Sequence, residues 1–351
     1  MDTAKPTVVV TGISGNLGQR LAPLLSDYTV VGIDVTPPIA PIQRFVPLDL
    51  GKEESTRELF LLLRELQPAS VVHLAFVIDP QRSGVLDLDR MWQINVAGTA
   101  RVMEAVTEAN RSAGANIRQF IFPSSVSVYG SNTPEAVTED APLEAHTLPY
   151  ALHKKETDLV VQQRAPALRG CSVFILRPHI FAGASVQNYL IGAFRGTPGG
   201  KSKRAARMRQ QGKRLPCLMP FGKRYLQNKI QFIHVDDMAR LITWLLRREP
   251  EARRVTIMNV AGRGEPLTFG ECIRLAHAKL LRVPGKRSMR QVLQWLWGLK
   301  LSSIPPDAVH YMTGQYIMNT DRLKKFLGPD YEQVIRYTVA DAFADSFKKN
   351  R

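Results

Sequence analysis

Three polar residues in the middle of the chain have the types and spacing of a proton-transfer site. Tyr150 and Lys154 are four residues apart, and Ser125 follows the apolar run 119–123. On a helix, positions i and i+4 project from one face. An ammonium near a phenol favours the phenolate and lowers its pKa from about 10, which creates an acid or base usable near neutral pH. Ser125 can hydrogen-bond the reacting oxygen and orient it.

A glycine-rich turn near the start of the chain points to a nucleotide. Its three glycines follow the apolar run 7–11 and open a helical pattern. In this spacing Gly12 permits a tight turn, Gly15 lets the backbone approach a pyrophosphate, and Gly18 lets the helix pack closely on the strand. The same turn contributes two further expected cofactor contacts, Asn16 and Leu17.

An aspartate at the end of the second apolar run indicates which dinucleotide binds. Asp34 lies 22 residues after Gly12. A carboxylate there can accept hydrogen bonds from both ribose hydroxyls of adenosine, and it repels a 2′-phosphate. No arginine directly follows Asp34 to offset that repulsion. The spacing therefore predicts NAD rather than NADP, and the alternative is a glycine turn with a solvent-facing aspartate.

Alternating apolar runs and helical patterns must position these residues. Predicted strands cover residues 7–11, 29–33, 44–48, 70–74, 119–123 and 172–177, and predicted helices cover 17–25, 53–66, 88–110 and 150–163. Parallel strands need long crossovers, and they are rich in Val, Ile and Phe when both faces are covered. The pattern predicts an α/β fold, a Rossmann-type doubly wound parallel sheet with a smaller C-terminal substrate-binding lobe. Active sites of such sheets lie at the carboxyl edge, where Ser125 falls.

The pattern changes after residue 178. Residues 195–229 are interpreted as a loop insertion, strands are predicted at 231–235 and 255–260, and helices are predicted at 237–247, 268–281 and 331–348, the stretch from 285 being otherwise irregular. We therefore assign 1–178, with returning segments at 230–262, to an NAD-binding domain. The substrate-binding lobe takes 179–229 and 263–351.

Composition bounds the class of protein. The 351 residues are 44% apolar and 22% charged, which is typical of a folded protein and excludes disorder and fibrous repeats. No run reaches the roughly 20 apolar residues of a membrane span, and the N-terminus does not resemble a signal peptide. Cys171, Cys217 and Cys272 show neither metal spacing nor a disulfide framework. We expect a cytoplasmic protein without a metal.

The net charge of +16 is unevenly distributed. Eleven of the 47 basic residues, and no acidic residue, lie within 195–229, which we call the basic segment. This segment could attract an anionic substrate, touch anionic lipid or nucleic acid, or form a solvated loop. Aromatic residues are absent from 195–220, so the stacking surface of a single-strand binder is missing and no specific nucleic-acid partner is expected. Trp295 and Trp297, among Arg and Lys, could face a membrane interface, cover an apolar pocket, or pack in a core or dimer.

Taken together, the motifs resemble the extended short-chain dehydrogenase/reductases, and within them the NAD-dependent epimerase/dehydratase family, UDP-glucose 4-epimerase-like. The resemblance extends to further segments: Asp49-Leu50, His73-Leu74-Ala75, Asn95-Val96-Ala97-Gly98-Thr99, Leu176-Arg177-Pro178, Phe232-Ile233-His234-Val235-Asp236-Asp237 and Asn259-Val260-Ala261-Gly262. It implies a catalytic set of Ser125, Tyr150 and Lys154, the last two also contacting NAD. It places Asp49 and Leu50 at the adenine.

The resemblance also implies further contacts and an assembly. Leu74 and Ala75 would lie beside the cofactor, and Asn95 would support the active site. A homodimer would form through the helices predicted at 88–110 and 150–163. These implications rest on the family and not on the spacing of the residues.

Two departures from the family pattern narrow the reaction. Val126 and Ser127 occupy the positions at which sugar 4,6-dehydratases usually carry an Asp-Glu pair, so dehydration is not expected. Ile180 stands where nucleotide-sugar enzymes often have an Asn that contacts the pyrophosphate, which weakens that assignment. His179 is interpreted as a packed histidine rather than a ligand.

Three hypotheses follow. The leading one is an NAD-dependent epimerase of an anionic nucleotide sugar, with transient hydride transfer to bound NAD and Tyr150 as acid and base. The alternative is an NAD-dependent alcohol dehydrogenase or ketone reductase acting on a lipid or other hydrophobic substrate. The third, a non-catalytic NAD-sensing or anion-binding protein, is disfavoured because a sensor does not need a proton-transfer site. Peripheral membrane contact stays open.

Overall fold

The chain alternates strands and helices as far as residue 283 and is helical beyond it. The computed structural model describes residues 5–78, 87–112, 114–249 and 255–348. The strands there are β1 (Thr7–Thr11), β2 (Thr29–Asp34), β3 (Arg44–Pro47), β4 (Ser70–His73), β5 (Gln119–Pro123), β6 (Ser172–Pro178), β7 (Ile180–Ala182), β8 (Cys217–Pro220), β9 (Lys229–Ile230), β10 (Phe232–His234), β11 (Val255–Val260), β12 (Leu267–Thr268) and β13 (Leu280–Val283).

The helices lie between these strands and in the C-terminal part. They are α1 (Asn16–Leu21), α2 (Ser55–Leu66), α3 (Leu88–Trp92), α4 (Gly98–Ser112), α5 (Pro149–Arg164), α6 (Tyr189–Arg195), α7 (Lys203–Gln210), α8 (Lys223–Gln227), α9 (Val235–Arg247), α10 (Phe269–Leu275), α11 (Gly285–Gly298), α12 (Val309–Thr313), α13 (Asp321–Leu327), α14 (Tyr331–Val334) and α15 (Val339–Asp345). A π-helical turn, Gln93–Ala97, joins α3 to α4.

Seven strands form one parallel sheet in the order β11-β6-β5-β4-β1-β2-β3. Successive side chains of a strand face opposite sides of the sheet. Val8 and Val10 therefore pack with α1 and α9 on one side, whereas Val9 packs with α2 and α4 on the other. Burying a side chain of this kind stabilises the folded state by about 1.5–3 kcal/mol relative to leaving it exposed. The predicted doubly wound α/β fold is confirmed.

A smaller C-terminal region packs beside this sheet. It contains three two-stranded pairs: β7 with β10 and β8 with β13, both parallel, and β9 with β12, which is antiparallel. Its core includes Phe194, Phe232 and Phe343, and the ring centroids of the first two lie 5.3 and 4.8 Å from that of Phe343. The chain then returns to the main sheet at β11, next to β6.

The basic segment is more ordered than the predicted loop. Ser202 accepts a hydrogen bond from the Ala205 N–H (3.1 Å) and so caps α7. Arg209, near the other end of this helix, donates to the Gly200 carbonyl oxygen (3.0 Å). The segment also contributes β8 and α8. The prediction of a loop was wrong because these caps and carbonyl contacts stabilise a helix without any apolar periodicity.

Two predicted helices are shorter than expected. The helix predicted at 268–281 ends at Leu275, because His277 has a φ of +47° and residues 280–283 pair with β8 as β13. The helix predicted at 331–348 is broken into α14 and α15. The Asp237 carboxylate accepts the N–H groups of Arg336 and Tyr337 (3.0 Å each), which holds the backbone between the two helices outside a helical conformation.

The stretch from residue 285, predicted to be irregular, begins with the fourteen-residue helix α11. Met289 and Leu293 form its buried face. Among the described residues, no helix has the length and apolar character needed to cross a bilayer.

Candidate active site

The end of β5 carries the predicted serine. Ser125 is buried and extended, and it caps the short 3₁₀ helix Val126–Tyr129. Its Oγ accepts hydrogen bonds from the Ser127 backbone N–H (3.2 Å) and the Ser127 hydroxyl (3.0 Å). The hydroxyl is therefore held at the carboxyl edge of the sheet, where the sequence predicted it.

Tyr150 lies in the first turn of α5 and faces the same edge. Its ring meets the Phe76 ring edge-on, with centroids 5.8 Å apart. Burial raises the pKa of Tyr150, and a hydrogen bond with Ser125 opposes the rise. The structure thus brings Tyr150 and Ser125 together. The expected lowering of this pKa by Lys154 is not found, because burial of the phenol raises the pKa and Lys154 is not among the groups that shift it.

Lys154 lies one turn further along α5 and is buried. Its Nζ donates to the Pro123 carbonyl oxygen (2.8 Å) and lies 3.7 Å from the Phe76 ring centroid. Burial lowers the pKa of Lys154 to about 7, and the charge of Asp158 opposes that shift. The amine is therefore held at the end of β5, close to the boundary between its charged and neutral forms at neutral pH.

A buried ion pair behind these residues was missed at the level of sequence. Arg177 donates from Nε and Nη2 to the two carboxylate oxygens of Asp158 (2.9 and 3.0 Å). Asp158 also accepts from the Ser124 hydroxyl (2.5 Å), next to Ser125. Asp158 follows Lys154 by four residues on α5, which was the available signal. The pair connects α5, the end of β5 and β6.

The guanidinium of Arg177 also reaches the C-terminal side of the sheet. Its Nη1 donates to the Tyr129 hydroxyl (2.8 Å), which in turn donates to the Asn259 side chain (2.7 Å). Burial raises the pKa of Tyr129 to about 12. The Asn259 backbone N–H donates to Glu139 (2.9 Å). A continuous polar network therefore joins β11 to the Ser125 end of β5.

The glycine turn after β1 is closely packed. Gly12 has a φ of +72°, and a Cβ there would lie 2.4 Å from the Ala75 nitrogen. A Cβ on Gly18 would lie 2.4 Å from the Ile13 carbonyl oxygen. Gly15 is exposed and precedes α1, which has no side-chain cap. The turn therefore requires glycine at 12 and 18, and it leaves a bare helix start at Gly15.

Asp34 lies beside this turn, partly exposed. One carboxylate oxygen accepts the Ser14 N–H (3.1 Å) and the other accepts the Val35 N–H (2.7 Å). Asn16 points the other way, and its amide donates to the Ser185 carbonyl oxygen (3.1 Å) after β7. Leu17 is partly buried against the core. The structure therefore brings Asp34 and the glycine turn together.

The segment after β3 is fixed by an arginine that the sequence analysis did not single out. Asp49 accepts the Gly51 N–H (2.9 Å) and forms an ion pair with Arg90. Leu50 is buried, and its carbonyl oxygen accepts from Arg101 (3.0 Å). Asp49 and Leu50 thus lie on a braced loop at the carboxyl end of β3.

The residues after β4 pack under the site. Hydrogen bonds join the His73 ring to Thr11 (2.7 Å) and Thr99 (3.0 Å), and burial lowers its pKa to about 3, so the ring is neutral. Leu74 and Ala75 follow directly, Ala75 against Gly12. Asn95, in the π-helical turn, accepts the Val77 N–H (2.7 Å) and donates to its carbonyl oxygen (3.1 Å). Asn95 therefore fixes the backbone that leads from β4 toward Tyr150.

The histidine at the start of the C-terminal region is packed in the interior, as the sequence analysis interpreted it. His179 is buried, accepts the Ile180 N–H (2.9 Å) and meets the Tyr316 ring edge-on at 6.2 Å between centroids. Burial lowers its pKa to about 3. Ile180 is partly buried against the same apolar cluster as Tyr150.

A cavity of about 620 Å³ lies between the basic segment and the C-terminal helix. Its lining includes the cations Arg195, Arg209, Lys213, Arg214 and Lys348. Arg195 donates to the Ser346 carbonyl oxygen (2.9 Å), so it forms part of the wall. None of the three predicted catalytic residues lines this cavity. Within the described ranges, no group of three or more His, Cys, Asp or Glu side chains could hold a metal ion.

Comparisons with known proteins agree on one family. The model of the NAD dependent epimerase/dehydratase family matches residues 8–261. An uncharacterized epimerase/dehydratase of Staphylococcus aureus (strain USA300) is 23% identical over 163 residues, which cover 44% of this chain and 47% of the relative. The matched part thus spans about half the length of such curated relatives.

Solved structures of low sequence identity share the fold. The UDP-glucuronic acid 4-epimerase of Bacillus cereus, in complex with UDP-glucuronic acid and NAD, is 18% identical with a TM-score of 0.66 and covers 97% of this chain and 98% of its own. The UDP-glucose 4-epimerase of Thermus thermophilus, in complex with NAD, is 17% identical with a TM-score of 0.65 and the same coverages, 97% and 98%. At such identity the likeness shows the fold alone.

Proposed function

Because the chain belongs to the NAD-dependent epimerase/dehydratase family, we propose that it is an NAD-dependent epimerase of a nucleotide sugar. One observation carries the proposal: the side chains of Tyr150 and Lys154 meet at the Phe76 ring, where Lys154 is bonded to the end of β5, two residues before Ser125. The glycine turn and Asp34 lie at the same edge, because β1, β2 and β5 are parallel. The solved structures with this fold that contain UDP-sugars support the substrate class.

The residues at the glycine turn fit a dinucleotide. A side chain at Gly12 or Gly18 would collide with backbone, whereas Gly15 leaves the start of α1 open. The backbone at Gly15 would hold the pyrophosphate, and Asp34 would accept from the adenosine ribose. When bound, NAD supplies a hydride acceptor at its nicotinamide ring. Asp34 also accounts for the proposed preference for NAD over its 2′-phosphorylated form.

The side chains at the carboxyl edge supply the proton chemistry. Tyr150 would take the proton of a substrate hydroxyl while that carbon is oxidised and would return it when the carbon is reduced. Ser125 would donate to the same oxygen and orient it. Burial raises the pKa of Tyr150, which favours the protonated phenol, the form needed to donate to a ketone. A Lys154 ammonium turned toward the phenol would lower that pKa and favour the phenolate, the form needed to take the proton of a substrate hydroxyl.

One observation favours a second function, an NAD-dependent alcohol dehydrogenase or ketone reductase for a hydrophobic substrate. Tyr150 and Ile180 pack against the same apolar cluster, and the ring of Phe76 contacts Tyr150. An apolar wall suits a substrate without charge. The two functions differ in the fate of the cofactor, since a dehydrogenase exchanges it at each turnover.

The first experiment identifies any nucleotide that copurifies. Purified protein is denatured and the released nucleotide is measured by mass spectrometry. Stoichiometric NAD supports an epimerase that recycles its cofactor in place, whereas weak, reversible binding with a steady change in the absorbance of the reduced nicotinamide supports the dehydrogenase.

The second experiment tests the tyrosine. Tyr150→Phe should abolish turnover of the nucleotide sugars that the wild type converts, while NAD binding is kept. Tyr28→Phe removes a hydroxyl whose partner is the Leu246 carbonyl oxygen (2.7 Å), away from the site, and should keep turnover. Full activity of Tyr150→Phe would refute the proposed acid and base.

We also propose a homodimer and a reducing cytoplasmic compartment. The dimer would form through α4 and α5, the helices at which the family resemblance places it. The three cysteines are buried, and none forms a disulfide. Light scattering in solution tests the dimer, and a mass of one chain would exclude it.

A further inference from the structure

One exposed surface of the C-terminal region combines apolar and cationic side chains. We call it the basic-aromatic surface, and it consists of six exposed residues: Lys201, Lys203, Arg204, Trp295, Leu299 and Lys300. It brings together the two sequence features that the proposed function does not use: the basic segment and the tryptophans of α11.

The apolar part of the surface lies at the end of α11. Trp295 is 74% exposed and Leu299 is 56% exposed. The Leu299 N–H donates to the Trp295 carbonyl oxygen (2.9 Å), so the two side chains are one helical turn apart on the same face. Met289 and Leu293 anchor the opposite face in the core. The helix is thus held with an indole and a leucine directed outward. Exposing them to water is unfavourable, because a tryptophan side chain carries a large apolar area.

The cationic part is attached directly to this helix end. The Ser202 N–H donates to the Lys300 carbonyl oxygen (3.1 Å), and the Gly200 N–H donates to the Leu301 carbonyl oxygen (3.1 Å). A Cβ on Gly200 would lie 2.0 Å from the Lys300 oxygen, so only glycine allows this approach. The backbone contact places the first turn of α7 beside Leu299 and Lys300.

The two cations in the first turn of α7 are not paired with a carboxylate among the described residues. Its first turn contains Lys203 and Arg204 and no acidic residue, although cations are disfavoured at the positive end of a helix dipole. Lys201, Lys203 and Arg204 form no ion pair among the described residues. In α11, Arg290 forms an ion pair with Asp307 (3.0 Å). An external anion would relieve the repulsion among these cations.

We propose that the basic-aromatic surface docks the protein on bilayers that contain anionic phospholipid. Trp295 and Leu299 enter the boundary between headgroups and acyl chains, and the cations contact the lipid phosphates. A bilayer is the partner that accommodates both parts of the surface. A second copy docked through this same surface is disfavoured because the contact would bring its four cations, two on α7 and one on either side of the glycine contact, against the same four cations of the other copy. A nucleic acid would use the cations but would leave Leu299 exposed.

Vesicle binding of the full chain tests the proposal. Phosphatidylcholine vesicles with and without phosphatidylglycerol are sedimented with the protein, and the bound fraction is measured at several salt concentrations. We expect binding only with phosphatidylglycerol, weakened by salt, with a blue shift of tryptophan fluorescence that Trp295→Phe removes. Lys203→Glu/Arg204→Glu and Trp295→Ser/Leu299→Ser should each reduce the partition coefficient at least about tenfold.

Matched variants elsewhere control for charge and apolar area. Lys52→Glu/Arg57→Glu makes the same charge change on exposed residues at α2. Ile39→Ser removes an apolar side chain that is 94% exposed. Both controls should bind vesicles like the wild type, and the thermal transition of every variant verifies that it is folded.

Three results would overturn the proposal. Equal binding to vesicles with and without phosphatidylglycerol would remove the charge recognition. Binding of double-stranded DNA as tight as that of vesicles, together with unchanged vesicle binding by Trp295→Ser/Leu299→Ser, would make the surface a general polyanion site. A change of oligomeric mass in Trp295→Ser/Leu299→Ser with vesicle binding unchanged would make it a contact between two copies of this chain.

Discussion

Replacing Asp158 with asparagine should destabilise the protein far more than removal of an ordinary ion pair. The side chains of Arg177 and Asp158 are 2% and 0% exposed. Asparagine keeps the size of the side chain but removes its charge, so the guanidinium stays buried without a counter-ion. The Ser124 hydroxyl would also lose a charged acceptor.

The expected magnitude follows from the burial of the pair. Removing one partner of a buried ion pair costs about 3–5 kcal/mol, since the remaining charge is uncompensated. An unfolding entropy of about 2 cal/mol/K per residue converts this loss into a fall of the melting temperature by about 4–7 °C for a chain of this length. An exposed pair contributes only about 0–1 kcal/mol.

Calorimetry of three variants checks this reasoning. Asp158→Asn should melt about 4–7 °C below the wild type. Glu65→Gln makes the same chemical change in the exposed Arg44–Glu65 pair and should melt within about 1 °C of the wild type. Asp158→Leu/Arg177→Met removes both charges and should be less destabilised than Asp158→Asn. Equal melting temperatures for Asp158→Asn and Glu65→Gln would refute the argument, because they would mean that the buried guanidinium does not need this carboxylate.

The remaining predictions concern the glycine turn, Lys154 and Asp34. Gly18→Ala should abolish NAD binding measured by calorimetry, because its Cβ would lie 2.4 Å from the Ile13 oxygen. Gly192→Ala, in α6 with nothing within 4 Å of its Cβ, should keep NAD binding and raise the free energy of unfolding by about 0.5–1 kcal/mol. Equal NAD binding by the two variants would contradict the packing argument. Burial lowers the pKa of Lys154 to about 7, so above this pH the unfolded chain binds more protons than the folded chain. The free energy of unfolding, measured by urea titration, should therefore rise by up to about 2 kcal/mol between about pH 7 and 8.5. If the same rise persists in Lys154→Met, another group is responsible for it. Asp34→Asn should lower the ratio of the NADP dissociation constant to the NAD dissociation constant about tenfold, because it removes a carboxylate that repels a 2′-phosphate. An unchanged ratio would mean that Asp34 does not face the ribose.

Local patterns were sufficient where neighbouring residues alone determine the conformation. The run before Gly12 is a strand in which every position can be buried, and the turn after it admits only glycine at Gly12 and Gly18, as their close contacts show. The place of Ser125 could be predicted because the carboxyl ends of all strands in a parallel sheet lie at the same edge. The spacing of Tyr150 and Lys154 could be interpreted locally as well, because residues four apart on a helix such as α5 project from one face.

Features that depend on distant residues could not be predicted in this way. Residues 280–283 form a strand only because Cys217–Pro220 lies beside them, more than fifty residues away in the chain. The break after α14 depends on Asp237, about a hundred residues earlier. The pKa of Tyr150 depends on how deeply its ring is buried, and an i, i+4 spacing gives no information about that.

The position of β11 has a consequence for how the protein folds during synthesis. All seven residues of β6 are buried, and β11 covers one of its edges, yet β11 leaves the ribosome more than seventy residues after β6. Until then β6 presents unpaired N–H and C=O groups, the kind of edge on which chains aggregate. Closing this edge requires a contact of large sequence separation, which slows folding. A chain that stops at residue 178 would therefore be expected to aggregate, and a nascent chain would depend on chaperones until residue 260 has emerged.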